Sequence, residues 1–288
     1  MEELNKKMSE LFGENISLDN IYKTQKLKQT YFPSQLFKYR PCSSRAIQNL
    51  REGSLFCATA DTFNDPYDCA LTFTLKRSLI LESEIQELTS HILGVHIEKI
   101  DAIKEFVLQR NKKLNAELVA SFNKSIQSMY KICSLSARLD SLLMWGHYGG
   151  MHSGFAMEYD FKSLPEDHVM GLSLWPVFYS DSLYDASHIM DLGQDTPLKN
   201  NMVAIISAMH KARDWAYEKE WRIIIVEGPE SPNRSFKAPL KAVHMGSKIT
   251  PDNEDTITSI ARDLNIAVTK MKLSDDRFRM EAQNVFTP

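Results

Sequence analysis

The stretch CSLSARLDSLLMWGHYGGMHSGFAMEYDF, residues 133–161, limits what this chain can become more than any other segment. It reads as strand, short helix, glycine turn, strand. Ser134 and Ser136 lie two apart on the first strand and therefore project from one face. Asp140 or Ser141 is placed to cap the helix that follows. On that helix Met144, His147 and Tyr148 share a stripe at i, i+3 and i+4. Gly149 and Gly150 end it, and residues 154–159 alternate as a half-buried strand is expected to. Two strands joined through one turn of helix make a sheet with a polar face, and such a face needs partners from elsewhere in the chain.

Candidate partners lie along the rest of the sequence. Residues 1–32 read as an N-terminal arm, with a helix over about 2–12 and a polar, lysine-rich connector. Residues 33–288 read as one α+β domain. In LFKYR, Phe37 and Tyr39 point one way and Lys38 and Arg40 the other; Pro41 then ends the strand. Ser43 or Ser44 caps a helix closed by Gly53, and residues 54–59 form another strand. DTFNDPYD, residues 61–68, is a turn. Asn64, Asp65 and Asp68 there are read either as an Asx-type turn or as groups that a rigid loop presents to a ligand. Residues 76–130 form an inserted helical block, with helices expected over 82–93 and 98–130 and Gly94 between them. Further strands are expected over 172–179, 239–246, 267–273 and 278–282. A loop is expected over 181–196, a helix over 198–211, and a helix capped at Thr250 or Asp252. In EKEWRIII, parity puts Glu218, Glu220 and Arg222 on one face and Trp221, Ile223 and Ile225 on the core face. The fold expected is therefore α+β: a mixed or antiparallel, partly split sheet with helices around it.

Composition narrows the function classes. The chain has 288 residues, 43% of them hydrophobic, enough for a large core. A net charge of -3 leaves no basic field for sequence-independent binding to duplex nucleic acid. The charged, amphipathic start is not a signal peptide, and no apolar run approaches the ~20 residues that span a bilayer. The four cysteines, Cys42, Cys57, Cys69 and Cys133, lack Cys-x-x-Cys spacing and read as reduced thiols of a cytoplasmic protein with no membrane partner. Walker, Gly-x-Gly-x-x-Gly, His-Glu-x-x-His and Gly-x-Ser-x-Gly signatures are all absent. His147 and His152 do not have metal spacing, so no metal ligand is assigned. His147 is read either as a hydrogen-bonded core residue or as a ligand contact.

What remains is a set of polar residues at strand ends and helix faces: Arg40, Ser134, Ser136, His147, Tyr148, Glu218 and Glu220. They suit cleavage of a bond to the anomeric carbon of a ribose. That reaction passes through an oxocarbenium-like transition state, which a fixed carboxylate stabilises, while an arginine clamps a pyrophosphate. An ion-pair network of purely structural purpose uses the same residue types.

The motifs LFKYR (36–40), FNDPYD (63–68), LMWGHYGGMHSGFAMEY (143–159), W-x-x-E-K-E-W-R (215–222) with Lys211, and PLKAVHMG (239–246) resemble the bacterial family called domain of unknown function 2971, in order, over about residues 35–282. A second resemblance is to ADP-ribosyltransferases, with Arg40, Ser134-Leu135-Ser136 and Glu218-Lys219-Glu220 in the order of that fold. It implies NAD as the substrate. Glu220, Glu218 and Ser136 would be catalytic. Arg40, Lys38, Ser134, Asn64, Asp68, His147 and Tyr148 would bind the nucleotide. The expected function is a NAD-cleaving or ADP-ribosyl-transferring enzyme, in the setting of a toxin or phage-defence effector, with a protein or nucleic-acid acceptor. The rivals are a non-catalytic nucleotide-sensing or partner-binding module, and a Mg-dependent nucleic-acid-processing enzyme built on Asp65, Asp68 and a glutamate.

Overall fold

The fold comes from a computed structural model that describes residues 1–14, 16–74, 97–190, 197–226 and 234–288. The helix expected over 82–93, with Gly94, lies outside the described residues, as does part of the loop expected over 181–196.

Fifteen strands are described: β1 (Leu36–Arg40), β2 (Ser54–Phe56), β3 (Ala58–Thr59), β4 (Leu71–Thr72), β5 (Lys131–Ser136), β6 (Phe155–Tyr159), β7 (Leu174–Pro176), β8 (Phe178–Ser180), β9 (Tyr184–Asp185), β10 (His210–Ala212), β11 (Glu220–Ile225), β12 (Ser235–Lys237), β13 (Leu240–Met245), β14 (Ala267–Leu273) and β15 (Met280–Phe286). One mixed sheet runs β15-β14-β13-β6-β1-β5-β11-β7, and β3 joins it along part of β5. Within it β13 and β14 are parallel; the other pairings are antiparallel. Three two-stranded pairs, β8 with β10, β2 with β12 and β4 with β9, stand apart from it. The helix Ile97–Met129 delivers the chain into β5, and the helix Pro197–Ala208 ends just before β10. The protein is α+β with a mixed, partly split sheet, as the sequence leads one to expect. No helix among the described residues is long and apolar enough to cross a membrane.

The two faces of the sheet differ in chemistry. Cys133 and Leu135 of β5, Trp221, Ile223 and Ile225 of β11, and Phe155, Met157 and Tyr159 of β6 share one apolar cluster. On the opposite face the registered pairs run Ile224 with Ile132, Arg222 with Ser134, and Glu220 with Ser136, which itself faces Phe37. Ile132 and Ile224 belong to a second cluster. Phe37 and Tyr39 belong to a third, with Met144 and Trp145. A band of polar side chains therefore lies between two apolar regions on a single face, where burial makes each unpaired charge costly.

Local signals explain most of the helix boundaries. Ser43 Oγ accepts from the Ala46 N–H, and Gly53 closes that helix in the left-handed region at φ 59°. Ser141 rather than Asp140 caps the helix Leu142–His147, accepting from Met144 N–H at 3.4 Å. Three expectations change. The polar connector is a second helix, Leu18–Thr30, capped by Ser17; its Lys28 is buried, with Nζ 2.5 Å from the Leu172 carbonyl and 3.8 Å from the Trp175 ring centroid. Strand β6 is buried along its whole length, because the sheet is covered on both faces there. The strand expected over 172–179 begins as the short helix Val169–Ser173 and then divides into β7 and β8. The first helix, Glu2–Glu14, sends Leu4, Met8 and Phe12 into the second apolar cluster, so the arm is packed against the core.

Gly154 immediately precedes β6, where three backbone segments converge. A Cβ there would meet the Arg40 carbonyl oxygen at 2.1 Å and the Gly149 carbonyl oxygen at 2.9 Å. The Gly154 N–H donates to Gly149 at 2.8 Å, and its own carbonyl accepts from Gly246 N–H at 2.8 Å, so the backbone is held from both sides. Gly154→Ala should lower stability by about 1–3 kcal/mol, the usual cost of overpacking. A urea titration at neutral pH measures it.

Candidate functional site

The polar band opens into a cavity of about 160 Å³. Its walls are Phe37, Tyr39, Phe63, Leu135 and Met144; its polar lining is Lys38, Asn64, Asp68, Ser134, Ser136, Tyr148, Lys211, Glu218 and Glu220. Since an apolar cavity of about 150 Å³ accepts benzene, this volume suits one six-membered ring and not a whole dinucleotide.

Behind the lining stands Arg222, with no exposed surface. Its Nη1 lies 2.6 Å from Asp68 Oδ1 and its Nη2 donates to Asp68 Oδ2 at 2.9 Å. Nε donates to Glu220 Oε1 at 2.8 Å, Nη2 to Glu220 Oε2 at 3.2 Å and Nη1 to the Ala208 carbonyl at 2.8 Å. The planar guanidinium thus bridges two carboxylates from distant parts of the chain, which suits arginine better than lysine. Lys211 Nζ donates to Glu218 Oε2 at 2.7 Å and to Glu220 Oε2 at 2.9 Å, and lies 3.7 Å from Asp68 Oδ2. Tyr148 Oη donates to Glu218 Oε1 at 2.7 Å.

Backbone geometry makes the two glutamates converge. Parity along an unbroken strand would place Glu218 and Glu220 on one face. Instead β11 starts at Glu220, and Glu218 ends the short 3₁₀ turn Arg213–Glu218. Lys219 between them adopts the left-handed conformation at φ 47°. Ser136 Oγ donates to the Glu218 carbonyl at 2.5 Å, and Ala137 N–H donates to that of Lys219 at 3.0 Å, fixing the turn to the end of β5. The Glu220 N–H donates to Tyr179 Oη at 2.8 Å.

Three carboxylates, Asp68, Glu218 and Glu220, meet two cations, Lys211 and Arg222. The imbalance falls on Glu218. Burial and the neighbouring Glu220 charge push its carboxyl above the ordinary 4.5, against Lys211 and Tyr148. Burial alone would raise Glu220 too, but Arg222 and Lys211 hold it well below that range. Burial acts to discharge Lys211, yet the surrounding carboxylates raise its proton affinity above the usual lysine value. Burial and Glu218 together push the Tyr148 phenol up. Glu218 therefore takes up a proton at a higher pH than Glu220, which stays ionised. Proton affinities driven apart in this way divide acid–base work between two groups.

The structure brings most of the sequence-derived residues together and leaves three aside. Arg40 does not line the cavity. It pairs in register with Phe155, on the face that holds the first apolar cluster, because strand alternation turns it away from Phe37 and Ser136. Lys38 shares that alternation but reaches back, donating to the Ser134 carbonyl at 2.8 Å. His147 is exposed, with Nδ1 3.0 Å from Tyr217 Oη, and does not line the cavity. Asp65 forms the expected turn, accepting from Tyr67 N–H at 2.9 Å, and stays out of the lining. Lys211 is the residue that sequence reasoning did not assign a role. Its signal was its position, seven and nine residues before two glutamates at a strand entry.

These elements can be compared with known proteins. The family model described as protein of unknown function (DUF2971) matches residues 144–223. Residues 144–223 are therefore similar to that family. That segment holds Tyr148, Lys211, Glu218, Glu220 and Arg222, whereas Asp68, Ser134 and Ser136 come from outside it. The matched segment therefore supplies Tyr148, Lys211 and both glutamates of the cavity, and the preceding residues supply the rest of its lining. Neither the curated proteins nor the solved structures yield a match to the chain.

Proposed function

We propose that the protein is an enzyme that cleaves or transfers at the anomeric carbon of a nicotinamide nucleotide, with NAD as its substrate. The observation that carries this reading is the pair Glu218 and Glu220, oppositely shifted and side by side on one wall of a ring-sized cavity.

Ser134, Ser136 and Asn64 supply polar atoms for the carboxamide of a nicotinamide ring, while Phe37, Phe63 and Met144 supply apolar walls. As the bond from C1′ to the pyridinium nitrogen breaks, its electron pair stays with nitrogen and neutral nicotinamide leaves. The ribosyl cation that remains lies against the ionised Glu220. Glu218 then takes the proton of the attacking water or acceptor hydroxyl, so that NAD and water give ADP-ribose, nicotinamide and one proton. Lys211 and Tyr148 hold the Glu218 carboxylate in place for that transfer.

The test is nicotinamide release from NAD. Wild type should release it, and Glu220→Gln should slow the reaction by about 10²-fold, the effect of losing one preorganised electrostatic group. Protection against thermal unfolding by NAD without release would identify a nucleotide-sensing module instead. Neither release nor protection would leave the charge cluster a structural one.

A further inference from the structure

The cavity admits one ring, so the remainder of a nucleotide must lie outside it. Three aromatic side chains stand beside the proposed catalytic groups. Trp215 lies against Lys211, whose Nζ is 5.0 Å from the indole centroid. Tyr217 immediately precedes Glu218, and its ring centroid is 6.2 Å from Trp215 at an interplanar angle of 42°. His147 immediately precedes Tyr148 and lies 6.0 Å from Tyr217 at 69°. Lys211 and Tyr148 line the cavity, and Trp215 and His147 contact them from outside the lining, with Tyr217 between these two rings.

Tyr217 packs partly against the third apolar cluster, but none of the three rings is fully covered. Trp215 and Tyr217 are only half-buried and His147 is exposed. Trp215 joins none of the apolar clusters among the described residues. A tryptophan that is only partly buried beside a charged cavity keeps some π surface in reach of solvent, and a nucleobase stacks on such a surface without regard to sequence.

We infer that Trp215, Tyr217 and His147 form a second subsite that stacks the distal base of a two-ring ligand. The natural ligand is then a dinucleotide rather than a mononucleotide. This rests on the reading of the cavity as a nicotinamide site. The cavity holds the ring that leaves, and the aromatic border holds the ring that stays with the product. These three residues set specificity and take no part in bond breaking.

The experiment compares NAD with nicotinamide mononucleotide as substrates of the full chain. Wild type should have the lower KM for NAD. Trp215→Leu, which keeps bulk but removes the π face, should raise the KM for NAD by about 10- to 100-fold, the range given by one lost base–aromatic stack. The same variant should leave the KM for the mononucleotide, and kcat for both, unchanged. His147→Ala alters an exposed ring and guards against a folding artefact; it should likewise raise the KM for NAD and leave that for the mononucleotide unchanged. Equal KM values for the two substrates in wild type, or a loss that falls equally on both in Trp215→Leu, overturns the second subsite and leaves the cavity reading standing. Cleavage of neither nucleotide by wild type defeats the cavity reading first, and the subsite with it.

Discussion

Replacing Arg222 with methionine should destabilise the fold by about 3–5 kcal/mol, the cost of leaving buried charges without their partner. Arg222 has no exposed surface and bridges Asp68 and Glu220, so its removal leaves two carboxylates that share only Lys211. Urea unfolding followed by far-UV dichroism gives the magnitude. Replacing Asp68 with leucine in the same chain should restore a large part of the loss, because an apolar pair of similar volume often matches a buried ion pair. If the double variant is no better than the single one, the guanidinium acts through its bond to the Ala208 carbonyl rather than through charge. The pH dependence has a definite sign. Glu220 is held below its ordinary 4.5 in the fold, so the stability it contributes is present above that value and drains away as pH falls below it. Without Arg222 that acid-sensitive contribution should shrink.

The second large effect is catalytic. Glu218→Gln should slow nicotinamide release by about 10²- to 10⁴-fold, the span of general acid–base catalysis. Its cost in stability should be far smaller, because burial and Glu220 already disfavour the charge that glutamine removes. The rate is expected to fall as pH drops through the raised Glu218 value, above 4.5, since a protonated carboxyl cannot accept the acceptor's proton. In Glu218→Gln the residual rate should lose that dependence. A Gln variant that keeps the wild-type profile would assign the base elsewhere.

Strand parity carried the sequence reading furthest. Alternation in LFKYR separates Phe37 and Tyr39 from Lys38 and Arg40, and the registered sheet keeps that division. The same alternation is what removes Arg40 from the cavity, although the order of motifs along the chain points to it. Order records sequence; a face depends on whether a residue is odd or even within its strand. The serines at 43 and 141 announced their helices because a cap is a contact made within three residues. Longer-range facts were hidden. Lys28 sits in a lysine-rich stretch that reads as solvated, and only the packing of its helix against Leu172 and Trp175 buries it. Lys211 follows an apolar helix, where a lysine usually reaches for water. Its direction is set by β10 pairing with β8, a parallel contact between segments more than thirty residues apart. Glu218 was placed near Glu220 by an assumed straight strand, whereas a left-handed residue achieves the convergence.

The bond from Arg222 to Asp68 spans 154 positions of the chain, and that from Ser136 to Glu218 spans 82. Contacts this remote in sequence form late, since the loops that separate them must close first. A ribosome that has delivered the chain only as far as Ser136 has made Asp68 and the paired serines but neither Lys211 nor Arg222, the cations that pair with Asp68. The charge cluster is therefore completed only when the segment 144–223 has been synthesised and β11 has docked. Partial products of translation or proteolysis should accordingly be inert rather than weakly active, and assembly of the last central strand is the step at which the cavity acquires its chemistry.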